Sequence, residues 1–539
     1  MKIRADIVRT YQTLHTWTGI TTGLLLFIGF FAGALVMFTD TIDQWSTPPS
    51  KQFSQVRDEQ HQVLLNHVLA NEEKAINAVT LHYSDNHSPI TWYEEGNGRG
   101  VNVNEQVWHA GFNEHGEINK ELSQVNHLSG LLDYLHQTGG IFGEIGHHLF
   151  GGYILGIASF LYFIALISGL IFLLPTLVKS FFALRKDKSA SRFWLDSHNL
   201  IGVSSLPFHV VIAFTVFVFA FHDFLYGGLF GVYGDKKLFP EQQKSEYQYN
   251  VKELPSLDDI KAKIQAYAPG YQIERIALSR LNTTSPSASV NITHPREMMR
   301  GPTTDFIFMH PYTLEINASS IKGGDQGIWV SIVSSLFALH FGSYGGTLGQ
   351  WAYFVMGLLG ALLFYTGNLL WIEKRRKQKQ ATQSKSSLVL AKLTVGIALG
   401  CICAISLAFA ATKWLSLTSL NVNIAYLWLY YLTFFVVVIA AFIKGPSVTA
   451  IYTLKASAIL CLIVPLNSLI ALLLPNLGLW HADSFAEIML EVMALPFAWF
   501  FYVCANKVAR RAYKGDKNSV WYVSEKSANT TNEELVIHS

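Results

Sequence analysis

Long apolar runs alternate with polar stretches along the whole chain, and their lengths decide the first question. A bilayer span needs about 20 mostly apolar residues at a rise of about 1.5 Å each. Eight runs meet that length: Gly19 to Phe38, Leu149 to Leu174, Leu200 to Phe221, Trp351 to Ile372, Leu388 to Ala411, Ile424 to Ile443, Ala456 to Leu474 and Phe485 to Val503. The first follows Lys2, Arg4 and Arg9 and precedes no small-residue cleavage site, so it reads as a retained span rather than a signal peptide.

Two long polar segments, about 40–146 and 223–340, carry a different period. "NAVTLHYSD", "SPITWYEE" and "QVWHAGFNEHGEI" in the first alternate apolar and polar positions and break at Asn, Gly or Pro. "YQIERIALS", "SASVNITHP" and "DFIFMHPYTLEINAS" do the same in the second, after a helical pattern in "SLDDIKAKIQAYAPG". Period two broken by turn residues predicts strands and hairpins. The expected fold is therefore a polytopic α-helical membrane protein of about eight transmembrane helices with two small α+β modules.

The order span, module, span, basic loop occurs twice, and such duplication often puts a site at the repeat interface. The expected domains are a first repeat (1–178), a second repeat (179–376), an appended four-helix membrane domain (388–510) and a polar, disordered tail (518–539). Charge orients the scheme. Lys179, Arg185, Lys186, Lys188 and Arg192 follow the second run, and Lys374, Arg375, Arg376, Lys377 and Lys379 follow the fourth. By the positive-inside rule these loops and both termini are cytoplasmic, and the two modules face outward.

Composition agrees and narrows the chemistry. Only 14% of residues are charged, against about 25% in soluble domains. The net charge of +2 and the lack of an extended Lys/Arg run give no reason to expect nucleic acid as a partner. The four cysteines, Cys401, Cys403, Cys461 and Cys504, lie in apolar runs and form neither CxxC nor CxxCH, which excludes c-type haem attachment and a zinc ribbon. No dinucleotide fingerprint, P-loop, HExxH or GxSxG stands in a suitable context.

Histidines remain as candidate ligands, since an ionisable group in a span is costly and marks function by default. His15 ("LHTWTG") and His198 ("SHNLIG") open the first span of each repeat. His136 ("YLHQTGG") and His340 ("ALHFGSYGG") precede the second, each followed by glycines. His147 and His148 stand as a pair at the mouth of the second run, with Glu144 nearby as an orienting carboxylate. His209 lies 11 residues after His198, which on one straight helix puts both imidazoles on one side. Neutral imidazole is the common haem-iron ligand. His109, His115, His294 and His310 fall in the modules and read as surface or strand residues.

"LHTWTGITTGLLLFIGFFAGALVMF", "WLDSHNLIGVSSLPFH", "ALHFGSYGG" and "LLFYTGNLLWIEKRR" resemble the PepSY-associated transmembrane helix family, and "DFIFMHPYTLEINAS" is similar to a PepSY domain. The resemblance covers about residues 7–376. It implies a bacterial inner-membrane protein, periplasmic modules, one or two b-type haems and an iron-linked redox role such as ferric siderophore reduction. It carries His15, His198 and His340 over as ligands, and His136 with them. The expected partners are a ferric siderophore or other ferric chelate, an electron donor (quinol or a cytoplasmic reductase) and the lipid bilayer. Two alternatives stay open: a permease for iron, haem or siderophore, and a non-enzymatic anchor that binds a periplasmic partner.

Overall fold

The computed structural model describes residues 4–49, 53–84, 88–95, 103–146, 148–177, 184–185, 189–233, 246–321, 327–376 and 383–523. They form two compact units. One, mainly helical, comprises Met1–Ser46, Leu128–Ala220 and Phe354–Ser539; the other, built round a sheet, comprises Thr47–His127 and Phe221–Tyr353.

The chain opens with α1 (Ala5–Val36) and α2 (Thr39–Ser46), then α3 (Asp58–Asn71), α4 (Glu73–Asn77) and strands β1 (Ala78–His82), β2 (Ile90–Glu95), β3 (Gln106–Phe112) and β4 (Ile118–Gln124). Next come α5 (Leu128–Thr138), a small hairpin of β5 (Glu144–Ile145) and β6 (His148–Leu149), and α6 (Phe150–Leu173). The plan then recurs. It runs through α7 (Ala190–Ser204), α8 (Leu206–Ala220), α9 (His222–Tyr233), α10 (Leu257–Tyr267), β7 (Gln272–Ser279), β8 (Ser287–Thr293), β9 (Asp305–Met309), β10 (Ile316–Ser319), α11 (Gly327–Phe341) and α12 (Gly346–Lys374). Four long helices follow: α13 (Lys385–Leu415), α14 (Val422–Ile443), α15 (Pro446–Leu473) and α16 (Phe485–Lys514).

Among the described residues seven helices are long and apolar enough to span a bilayer, and the count is eight if the bent pair α7 and α8 is one span. The protein is a multi-pass membrane protein. The straight helix expected from Leu200 to Phe221 is a correction: α7 and α8 meet at Ser205 and bend by 71°. Pro207, the second residue of α8, has no N–H for the α7 ladder, and its ring crowds the preceding turn. His198 and His209 therefore do not share one face of one helix.

In the sheet unit the two four-stranded modules are one sheet, in the order β10-β9-β8-β7-β1-β2-β3-β4. The order is a palindrome about the seam, where β1 and β7 pair antiparallel from Ala78 with Ser279 to His82 with Arg275. A duplicated module whose first strands pair antiparallel acquires a pseudo-twofold axis without a separate dimer. Alternation explains the single core. Val79, Leu81, Ile276, Leu278, Val290 and Ile307 turn to one face and are buried there with Leu64 and Val68 of α3 and Ile260 and Ile264 of α10. Lys261 bonds Asp58 at 2.6 Å, joining those two helices.

In the helical unit, residues beyond α16 fold back. Trp521 is buried, donates its indole N–H to Glu373 Oε1 at 3.0 Å, and its carbonyl accepts from Ser447 at 2.6 Å. Of the expected polar tail, residues 518–523 take part in this return, and 524–539 lie outside the described residues.

Candidate functional site

The first and second repeats build the same local device. His15 on α1 donates Nδ1–H to the Ala165 carbonyl of α6 at 2.8 Å. His198 on α7 donates Nδ1–H to the Leu363 carbonyl of α12 at 3.2 Å, with Thr366 Oγ1 at 3.4 Å. A carbonyl only accepts, so each Nδ1 carries the proton and each Nε2 keeps the lone pair. Four residues after each accepting carbonyl, one helical turn on, stands a glycine against the ring. A Cβ on Gly169 would lie 2.8 Å from His15 Nδ1, and one on Gly367 would lie 3.3 Å from His198 Cε1. The rings of His15 and His198 stand with centroids 6.1 Å apart, edge to face.

His209 follows the same rule of glycine contact. Its ring packs against Gly360, two helical turns before Gly367 on α12, so one glycine stripe receives His209 and His198 despite the bend between their helices. His209 is completely buried, and among the described residues neither ring nitrogen has a hydrogen-bond partner. Phe30 lies 5.6 Å and Tyr162 6.0 Å from it, centroid to centroid, and the Tyr162 hydroxyl is likewise buried without a partner. Each such buried polar atom costs about 1–3 kcal/mol, so three together in one aromatic cluster call for a reason beyond packing.

At the other end of α1, His136 of α5 donates Nδ1–H to the Gly29 carbonyl at 2.8 Å and presses on Gly33, where a Cβ would meet Nδ1 at 2.5 Å. Three and four residues on, Gly139 and Gly140 take φ of 61° and 80°, values that only glycine adopts cheaply, and turn the chain toward α6. His340 holds the matching place near the end of α11, before Gly342 at φ 67°. It belongs to the sheet unit. His148 lies in the β5–β6 hairpin with its ring 5.8 Å from Tyr153, paired across the strands with Ile145. Glu144 is exposed in the same hairpin. His147 lies outside the described residues.

A family model for the PepSY-associated TM region matches residues 12–374. The chain belongs to that family. The match ends at the last residue of α12, so α13 to α16 lie beyond it. No curated protein matches the chain. All the histidines discussed above fall within the family region.

The histidines meet in ones and twos: among the described residues no three of His, Cys, Asp or Glu gather as a metal group. Two residues before His198, the buried Asp196 receives the Arg185 guanidinium at 2.7 and 2.8 Å, which ties that part of α7 to the preceding loop. Sequence reasoning missed the glycines that touch the rings. Gly33, Gly169, Gly360 and Gly367 lie inside apolar spans, and only the recurrence of a glycine four residues after Ala165 and Leu363 could have singled two of them out. Donor type fits a haem. The histidines offer neutral imidazoles with basic Nε2 atoms, the glycines admit close approach, and Phe30, Phe172, Phe208 and Phe364 supply apolar walls.

Proposed function

We propose that this protein is a haem-b-containing electron-transfer protein of the bacterial inner membrane, with both termini cytoplasmic, that reduces ferric iron at the periplasmic face. Its substrate is a ferric siderophore or another ferric chelate. The observation that carries this reading is the doubled device of His15 and His198, one from each repeat, ring to ring at 6.1 Å. His15 and His198 would be the residues that hold the haem, one from each repeat.

A haem held by these histidines would supply a reversible one-electron couple. The chain's own residues do the rest. Ala165 and Leu363 carbonyls fix the planes of His15 and His198 and raise the basicity of each Nε2. Phe30, Tyr162 and Phe364 keep water from His209. His136 and His148 of the helical unit are assigned to a second, outer haem, and His340 of the sheet unit is kept as a further ligand candidate. Electrons come from a quinol or a cytoplasmic reductase, and one electron passed to the chelate converts Fe(III) to Fe(II), which hard oxygen ligands hold less well.

The test is an optical spectrum of the purified protein with and without dithionite, then of His15→Ala and His198→Ala. A reduced b-type α band that disappears in both variants is expected. A folded protein free of haem, or full haem content in both variants, overturns the reading.

The bend between α7 and α8 favours a second reading, because broken helices line substrate paths in transporters. Uptake of labelled ferric chelate into proteoliposomes without reductant distinguishes a permease.

A further inference from the structure

Arg300 lies in the β8–β9 connection of the sheet unit and reaches α11. Its guanidinium carbon stands 5.0 Å from the centre of the Phe337 ring and 5.3 Å from that of Phe306. Phe337 is one helical turn before His340, on the same side of α11. The residue before Arg300 is tied to the other side of His340: Met299 N–H donates to the Ser343 carbonyl at 3.2 Å, and the Ser343 hydroxyl donates back to the Met299 carbonyl. The connection therefore clasps the end of α11 three residues before and three residues after His340.

The backbone of this connection is anchored, while the charge it carries is not. Arg300 N–H donates to Asp305 Oδ1 at 2.9 Å, and the same oxygen accepts from Ser320 at 2.6 Å. Among the described residues no carboxylate or carbonyl accepts from the Arg300 guanidinium itself. A half-buried cation between two phenyl faces gains some cation–π stabilisation, but five N–H donors remain to be satisfied. Burial works against the charge, with Tyr226 and Asp305 partly offsetting it. Asp305 offsets the charge only at a distance: its Oδ1 accepts from the connection's backbone and from Ser320, and it makes no hydrogen bond with the guanidinium. Lysine would not substitute well, because only the planar fork pairs with both oxygens of a carboxylate.

We propose that Arg300 is a ligand-binding residue that receives a carboxylate group of the molecule held beside His340. Two sources share that chemistry: a propionate of the outer haem, which rests on the reading above, and a carboxylate of the ferric chelate, which does not.

The experiment compares full-length wild type with Arg300→Met and Arg300→Lys in detergent. Each is titrated with two matched pairs of probes: iron protoporphyrin IX against its dimethyl ester, and ferric citrate against an uncharged ferric trihydroxamate. The quantity read is the ratio of dissociation constants within each pair, which a general loss of folding leaves unchanged. Wild type prefers the carboxylate-bearing member of at least one pair, and Arg300→Met lowers that preference roughly tenfold or more. Arg300→Lys falls between. A change confined to the porphyrin pair assigns a propionate, and one confined to the chelate pair assigns the substrate. Ratios unchanged by Arg300→Met in both pairs overturn the proposal. A protein that binds neither porphyrin refutes the haem reading, and the chelate pair then decides the role of Arg300.

Discussion

Trp45 and Glu491 lie 446 residues apart and are joined by a buried hydrogen bond of 2.8 Å from indole to carboxylate. Trp45 is the penultimate residue of α2, inside the family region, whereas Glu491 is on α16, outside it. The same Glu491 oxygen accepts from Lys413 of α13 at 3.0 Å and from Ser468 of α15 at 2.5 Å. Trp480 closes the cluster by donating to the Trp45 carbonyl at 2.9 Å. At the other end of α16, Arg511 and Trp521 both donate to Glu373 on α12. One helix of the appended domain is thus fixed at both ends to the family region by buried carboxylates. Such docking makes the four helices a permanent part of the helical unit.

Lys413 is fully buried, so removing its counter-charge leaves an unpaired ammonium among apolar helices. Glu491→Gln and Lys413→Met should each destabilise the full-length protein by about 3–5 kcal/mol. The double variant Lys413→Met/Glu491→Gln should lose much less than the sum, because no charge is left behind. Unfolding midpoints in detergent for the four proteins measure the coupling. Additive losses would show that the two side chains do not act as a pair.

The glycines under the histidines make a graded prediction. A methyl group on Gly169 would come within 2.8 Å of His15, and one on Gly367 within 3.3 Å of His198. The first cannot be accommodated without moving the ring off the Ala165 carbonyl, at a cost of about 1–3 kcal/mol, while the second needs a shift of a few tenths of an ångström. Gly169→Ala should therefore lower bound haem more than Gly367→Ala. Haem per protein, read from the pyridine haemochrome, tests the order.

How much of this is legible in the sequence depends on the range of the interaction. Spans and strands come from local periodicity, so α12 and the run from Ala78 to His82 can be read without a fold. The β1–β7 seam cannot, because nothing in "AVTLH" says whether its free edge pairs with a strand about 200 residues later. The bend at Ser205 was locally marked by Pro207, but the apolar run through "LIGVSSLPFHVVIAF" outweighed it. The matching of His15 with His198 follows from the duplication. Their glycine and carbonyl partners on α6 and α12 emerge only when the helices pack. Lys413 and Glu491 sit in different spans, and their pairing has no local signal at all.

A pH dependence follows from His61, buried in the sheet unit with Nε2–H donated to the His82 carbonyl at 3.0 Å. Burial, chiefly, holds its pKa below the usual 6.5, with the His82 bond opposing and the Lys261 charge assisting. Below 6.5 the unfolded chain takes up a proton that the folded chain refuses, so this contribution to stability is lost as pH falls. Asp305 acts with the opposite sign: burial raises its pKa, and the folded state holds its proton the better at low pH. The midpoint of wild type should fall between about pH 7.5 and 5.5, and that of His61→Gln should fall less. Parallel profiles would remove His61 from the account.

The seam makes the last prediction. Ala277 is paired with Thr80 of β1 on one side and Ser289 of β8 on the other. A proline there deletes a ladder donor and places its ring in a central strand, a position sheets essentially never tolerate. The core beneath is continuous, since residues of both modules contact α3 and α10 across the seam. Ala277→Pro should therefore unfold both modules together, whereas Ala318→Pro, on the edge strand β10, should be mild. Limited proteolysis of the full-length protein separates the cases. Cleavage should appear at once within the β3–β4 and the β8–β9 connections of Ala277→Pro. Cleavage in only one of them would mean that the two halves of the sheet stand independently.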